Sequence, residues 1–263
     1  MLKKLLKYDL KYMIKNMLPF YLLAIFFSLT TRIFLSIEET VIIKILYQIS
    51  LGCFIAMLFN IMINTMIRSW IRFHDSIYKD EGYLTNTLPV TKKEIYYSKF
   101  LQTLIFFVIG FLIMIGTLFL AFYTKNRWME LKNIINNITT GLEFPTTLFV
   151  ISFLSVFFLE ILNAIQCGFF GIILGNKRNN GKILFSVLFG FLFYLISQSM
   201  VLGLVFIVGL FNKSIMNLFT TKLLLDTSSL KLLILLSVIF YILIITMMSI
   251  VGVKQLEKGI NIE

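Results

Sequence analysis

The sequence predicts an all-α, polytopic membrane protein. Of its 263 residues, 59% are hydrophobic and only 14% are charged, whereas about 25% of the residues in an ordinary soluble domain are charged. Apolar runs of about 20 residues recur along the chain, and a helix of that length crosses the ~30 Å hydrocarbon core of a bilayer. The runs are apolar on every face, which excludes the alternating pattern of a transmembrane β-barrel.

The run lengths predict six membrane spans, an even number that puts both termini on one side. Sixteen Lys and Arg residues lie in the N-terminal segment, the 68–99 and 176–182 connections and the C-terminal tail, against seven in the alternate loops. This bias predicts cytoplasmic termini. No repeat or Pro/Gly/Ser-rich linker divides the chain, so residues 1–263 are predicted to form one membrane domain. The predicted spans are 17–37, 45–67, 100–124, 146–175, 183–211 and 231–253.

Residues 1–16 have the pattern of an amphipathic helix, with leucines on one face and lysines on the other. Such a helix lies along a lipid surface, where each lysine contributes ~1 kcal/mol near anionic headgroups. The placement of the basic residues therefore predicts membrane lipid as a partner and no nucleic acid. Pro19 is expected to redirect the chain into the first span. A plain topology signal is the alternative.

A second amphipathic stretch, 125–145, is predicted to rest on the outer leaflet. Its apolar side chains recur at helical spacing. They are Trp128, Leu131, Ile134, Ile135 and Ile138.

The residue types that carry catalysis are sparse. His74 is the only histidine, and Cys53 and Cys167 both lie in apolar runs, so the sequence predicts no metal site and no catalytic residue. Glu38-Glu39 is similar to the glutamate pair of CAAX-type membrane proteases, but Ile43 stands where an arginine is expected. The 175–183 turn lacks the Ser/Thr and the glycine spacing of a phosphate-binding loop. We therefore expect nucleotide chemistry to reside in another chain.

The 68–99 connection is too apolar for a solvated linker. Thr91-Lys92-Lys93-Glu94 has the spacing of a capping box, and Pro89 stops the helix before it. The segment thus predicts a short helix, a break and a new helix that enters the third span. Its exposed apolar side chains predict contact with the membrane face and a partner.

This connection resembles one family. Residues 80–91, Asp-Glu-Gly-Tyr-Leu-Thr-Asn-Thr-Leu-Pro-Val-Thr, followed by Ser98-Lys99, look like the segment between spans 2 and 3 of type-2 ABC exporter permeases. The likeness is to the bacterial branch of peptide-antibiotic export and immunity transporters. Six spans, an interfacial N-terminal helix and a similar length also fit that family.

The resemblance implies that residues 76–88 form a coupling helix that docks into a groove of an ATPase subunit. It also implies a pair of ATPase subunits that hold ATP and Mg, no cofactor in this chain, and a second six-span permease, identical or similar. The implied location is the bacterial plasma membrane. The implied coupling residues are Tyr78, Glu81, Gly82, Tyr83, Leu84, Thr85, Leu88 and Pro89.

Polar residues within the spans form a second set of candidates. Glu160 is the one carboxylate near a span centre, where an unpaired charge costs several kcal/mol. Asn163 and Gln166 follow it at three-residue steps, and Asn60 and Asn64 share a face of span 2. These residues are candidates to line a substrate path. Interhelical hydrogen bonds worth about 0.6 kcal/mol each are the alternative for the amides.

Together these features predict a non-enzymatic permease subunit of an ATP-driven exporter. The predicted substrate is amphipathic or hydrophobic, with peptides included. A membrane-embedded enzyme acting on lipid or peptide through Glu160, and a non-transporting sensor or scaffold, are the alternatives.

Overall fold

The computed structural model describes residues 2–37, 40–141, 145–217 and 227–259. Within these ranges the regular secondary structure is helical, without a strand. The elements are α1 (Leu2–Ser36), α2 (Val41–Tyr78), α3 (Asp80–Thr87), α4 (Lys92–Phe122), α5 (Lys125–Gly141), α6 (Thr146–Gly175), α7 (Lys182–Phe211), α8 (Lys213–Met216) and α9 (Thr227–Glu257).

Six of these helices are long and apolar enough to cross a membrane: α1, α2, α4, α6, α7 and α9. They coincide with the six predicted spans, so the prediction of an all-α, multi-pass membrane protein is confirmed. Several helices extend beyond the predicted spans. One of them is α2, which continues to Tyr78 instead of ending near residue 67. Ser69, Phe73 and Ile77 are buried on one face of the added turns.

The described residues group into two compact units. Unit 1 contains the chain up to Met129, and unit 2 begins at Glu130. Each has its own packed helices and is described by itself. That residues 1–263 act as one membrane domain stays a prediction.

In unit 1, α1 packs against α2 and α4. The core of this three-helix packing consists of Met13, Met17, Tyr21, Ala24, Ile61 and Phe106. The predicted change of direction at Pro19 is wrong, because α1 continues through it as one helix. Membrane helices tolerate proline where neighbouring helices hold the turn, and here the flanking Met17 and Tyr21 are both buried. The contact of residues 1–16 with a lipid surface stays a prediction.

In unit 2, α6 packs against both α7 and α9. The approach of α6 to α7 is close enough that a Cβ added at Gly171 would lie 2.4 Å from the backbone nitrogen of Gly190. A Cβ added at Gly175 would lie 2.4 Å from the backbone nitrogen of Ser186. Small residues therefore allow the close approach of these two helices, as they do at many membrane helix interfaces.

The predicted outer amphipathic stretch, 125–145, contains α5 (Lys125–Gly141). Its apolar face remains open, since Trp128, Leu131 and Ile134 are all exposed. The side chain of Ile138 lies outside the described residues, as do Glu38 and Glu39.

Candidate functional site

The short helix α3 has local sequence reasons for both of its ends. Asp80 and Glu81 lie in its first turn, where negative charge interacts favourably with the helix dipole. The helix ends at Thr87 because Pro89 disfavours helical backbone at Leu88, which is extended with φ −65° and ψ 145°. The predicted sequence of short helix, break and new helix is confirmed.

The capping box that begins α4 is also confirmed. The Thr91 hydroxyl accepts a hydrogen bond from the Glu94 amide, and the Thr91 amide donates one to the Glu94 carboxylate. This fixes the start of α4 directly after the break.

The short helix of this connection begins later than the coupling helix that was predicted for residues 76–88. Residues 76–78 belong to α2, and α3 runs from Asp80 to Thr87. Tyr78 is only 3% exposed, so its prediction as a contact for a partner is wrong: its ring is buried within the chain. Gly82 has a structural role, because a Cβ there would lie 2.5 Å from the carbonyl oxygen of Ile77.

α3 exposes two large apolar side chains. Tyr83 is 56% exposed and Leu84 is 73% exposed. Leu88 and Pro89, just after the helix, are exposed as well. Thr85 donates a hydrogen bond back to the carbonyl of Glu81 (2.9 Å) and so supports the helix itself.

The inner side of α3 is tied to a buried charge cluster, the Asp9 cluster. Asp9, 1% exposed, accepts hydrogen bonds from Arg72 Nε (3.0 Å), from Ser98 Oγ (2.6 Å) and from Lys99 Nζ. Arg72 also donates to the Glu81 carboxylate. The cluster joins α1, α2 and α4 to α3, so Glu81 has an ionic partner within its own chain.

A cleft of about 320 Å³ lies beside this cluster. Its lining combines the charged groups with apolar side chains of α1, α3 and α4. The lining residues are Leu5, Tyr8, Asp9, Arg72, Glu81, Leu84, Thr85, Leu88, Ile95, Ser98 and Lys99. Asp9, Arg72 and Lys99 were not among the sequence candidates. Asp9 could have been found by its spacing, since an acid four residues before Met13 falls on the apolar stripe of α1.

The second candidate region, in unit 2, is centred on Glu160 of α6. Its Oε1 accepts hydrogen bonds from the Tyr194 hydroxyl (2.8 Å) and from Gln198 Nε2 (2.6 Å), both on α7. Its Oε2 accepts one from the Tyr241 hydroxyl on α9. Glu160 thus contacts both neighbouring helices through neutral donors.

The amide candidates on α6 form hydrogen bonds between helices. Asn163 donates to Ser197 Oγ on α7 (2.9 Å), and Gln166 donates to Ser249 Oγ on α9 (3.0 Å). Both amides are fully buried, which favours the interhelical alternative over an open path.

Asn60 and Asn64 lie in unit 1 and bond to each other along α2, with Asn64 Nδ2 3.1 Å from the Asn60 carbonyl oxygen. The structure therefore does not group them with Glu160, Asn163 and Gln166. Their place on a substrate path stays a prediction.

The basic 176–181 turn joins α6 directly to α7. Gly181, with φ 67°, provides the left-handed backbone that begins α7. Burial, together with the charge of Lys258, lowers the pKa of Lys177, whose ammonium also donates to Gln255. A helix precedes the turn, where a phosphate-binding loop would follow a strand.

Within the described ranges, no three His, Cys, Asp or Glu side chains are grouped so that they could share a metal ion. Neither a protein-family model, nor a curated protein, nor a solved structure matches the chain.

Proposed function

We propose that this chain is the permease subunit of an ATP-driven, type-2 ABC exporter in a bacterial plasma membrane. Two ATPase subunits supply ATP and Mg, and a second six-span permease, identical or similar, completes the transporter. Both termini are cytoplasmic. The substrate is amphipathic or hydrophobic, and peptides belong to that class.

The observation that carries this proposal is that α3 exposes large apolar side chains while it is bound to its own chain through Glu81. A helix of 8 residues between two long apolar helices exposes Tyr83 and Leu84, while the Glu81 carboxylate of the same helix is bound by Arg72 of α2. Exposed aromatic and aliphatic side chains on a short helix are suited to insertion into a groove of a partner.

The Asp9 cluster connects such a docked helix to the membrane-spanning helices. Glu81 of α3 binds Arg72 of α2, and Arg72 binds Asp9 of α1, which also binds Lys99 of α4. A force applied to α3 by a partner therefore reaches three long helices through ionic contacts. This is the mechanical requirement for coupling ATP hydrolysis to movement of the spans.

Copurification tests the docking. The tagged chain is purified from membranes of its native host, and the amount of ABC ATPase recovered per permease is measured by quantitative mass spectrometry. We expect Tyr83→Ala and Leu84→Ala to lower the recovered ATPase about fivefold or more, since truncation of a hot-spot residue costs more than 1 kcal/mol.

Tyr123→Ala is the matched control, because Tyr123 is a similarly exposed tyrosine, 49% exposed, at the other end of α4. It should leave the recovery unchanged. If no ABC ATPase copurifies with the wild-type chain, or if the Tyr83→Ala/Leu84→Ala double variant retains all of it, the docking proposal is wrong.

Cysteine labelling tests the orientation. In a chain with Cys53→Ala and Cys167→Ala, Glu130→Cys on α5 should react with a membrane-impermeant maleimide in intact cells, and Lys79→Cys should react only after permeabilisation. The reverse pattern would contradict cytoplasmic termini.

A further inference from the structure

The environment of Glu160 differs from that of an ordinary structural carboxylate. Glu160 is the fifteenth of the 30 residues of α6, about 21 Å along the axis from Thr146. It therefore lies near the middle of a helix long enough to cross the bilayer. A charge at this depth is expensive and in membrane proteins is commonly functional.

The hydrogen bonds of Glu160 leave its charge uncompensated. Its three donors are two phenol hydroxyls and an amide, all neutral. They satisfy the lone pairs of the carboxylate but supply no positive charge.

The membrane-crossing parts of the three surrounding helices have no basic side chain that could supply this positive charge. The sequence has no Lys, Arg or His at residues 146–176, 183–212 or 232–253. These ranges cover the membrane-crossing parts of α6, α7 and α9. Among the described residues of this unit, no side chain supplies a counter-charge at mid-span, and a bound cation would supply it.

The surroundings favour an organic cation as that species. Tyr194 and Tyr241 place two aromatic rings next to the carboxylate, and aromatic faces attract ammonium-type and delocalised cations. The remaining surface of α7 is almost entirely apolar, which suits the hydrophobic body of an amphiphile. Glu160 and Tyr194 are half-buried, so a ligand can reach them.

We propose that Glu160, with Tyr194 and Tyr241, forms a binding site for an organic cation with an apolar body. Glu160 supplies the counter-charge, both tyrosines hold the carboxylate, and the half-buried Tyr194 contacts the cation. In the exporter proposed above, on which this assignment of role rests, the bound species is the cationic end of an amphipathic substrate.

The test uses two probes of nearly the same shape and opposite charge. Binding of radiolabelled tetraphenylphosphonium and of tetraphenylborate is measured on the full chain in nanodiscs, with empty nanodiscs subtracted. No ATPase is needed. We expect saturable binding of the phosphonium cation and none of the borate anion above the empty-disc signal.

Variants then locate the site. Glu160→Gln retains the side-chain shape and an acceptor oxygen but removes the charge, and it should raise the Kd for tetraphenylphosphonium at least about tenfold. Tyr194→Phe keeps the ring and should bind tetraphenylphosphonium with nearly the wild-type affinity, whereas Tyr194→Leu should bind this cation more weakly. Glu130→Gln removes an exposed charge of the same unit outside the spans and serves as the control.

Two results would overturn the site. One is wild-type chain that binds both probes equally or neither; the other is folded Glu160→Gln chain with wild-type affinity for the cation. Either would leave Glu160 as an interhelical hydrogen-bond acceptor or a proton carrier. Because ATPase recovery with the Tyr83 variants is measured separately, this proposal and the exporter proposal can fail independently.

Discussion

The two units surround a carboxylate between their helices in opposite ways. In unit 1, Asp9 is surrounded by the positive charges of Arg72 and Lys99. In unit 2, Glu160 is surrounded by neutral hydroxyl and amide donors. The Asp9 carboxylate forms ion pairs that hold helices together. The Glu160 carboxylate has hydrogen-bond donors, but none of these donors carries a positive charge.

The units also differ in how their helices are held. Unit 1 joins four helices through the Asp9 cluster beside an apolar core. Unit 2 depends on the close approach of α6 and α7 at Gly171 and Gly175. A substitution in one unit should therefore have a different physical consequence from the corresponding substitution in the other.

The largest effect is expected from Asp9→Asn. It would remove the carboxylate charge that Arg72 and Lys99 share, leaving Glu81 as the remaining ionic partner of Arg72. Breaking a buried pair typically costs about 3–5 kcal/mol. The thermal unfolding temperature in detergent should fall strongly. Asp80→Asn, on the exposed side of α3, should have little effect; equal stability of the two variants would contradict the structural role of Asp9.

Gly171→Ala should have the next largest effect. Its added Cβ would meet the Gly190 backbone at 2.4 Å, so α6 and α7 would have to separate, at a cost of about 1–3 kcal/mol. Gly203→Ala on α7, where a Cβ meets nothing within 4 Å, is the matched control. The comparison requires only the two unfolding temperatures, and similar values would show that close packing does not limit unit 2.

Glu160→Gln should change stability much less than Asp9→Asn, although both replace a carboxylate with its amide. The new amide can still accept from α7, and a membrane hydrogen bond is worth about 0.6 kcal/mol on average. Unfolding of both variants in the same detergent tests the contrast directly. A loss for Glu160→Gln as large as that for Asp9→Asn would mean that the hydrogen bonds of Glu160 stabilise unit 2 as strongly as the Asp9 ion pairs stabilise unit 1.

The smallest stability effect is expected from Glu81→Gln. The Glu81 side chain is 55% exposed, and exposed ion pairs contribute about 0–1 kcal/mol. Its consequence should instead appear in transport, because α3 would lose its link to Arg72. We expect near-normal unfolding and ATPase recovery with reduced substrate-stimulated hydrolysis, measured in proteoliposomes; fully coupled hydrolysis would show that this link is not used.

Much of the fold follows from the sequence because its signals are local. The apolar runs predict the six long helices, since a backbone in lipid has to bond within its own segment. The Thr91–Glu94 capping box and the break at Pro89 depend on residues at most three positions apart, and both were predictable. The small-residue face of α6 likewise indicates close packing, although not the helix that it meets.

The tertiary structure decided what depends on distant residues. Asp9 lies 63 positions from Arg72 and 90 from Lys99, so no local pattern could pair them or show that Glu81 binds inward. Tyr78 was predicted to contact a partner, but in the folded chain its side chain is buried at the end of α2. For Glu160, the sequence determined that a carboxylate lies in the middle of an apolar helix. Only the packing of α6 with α7 and α9 shows which groups surround this carboxylate, because its hydrogen-bond donors lie on two other helices and converge only after the helices pack.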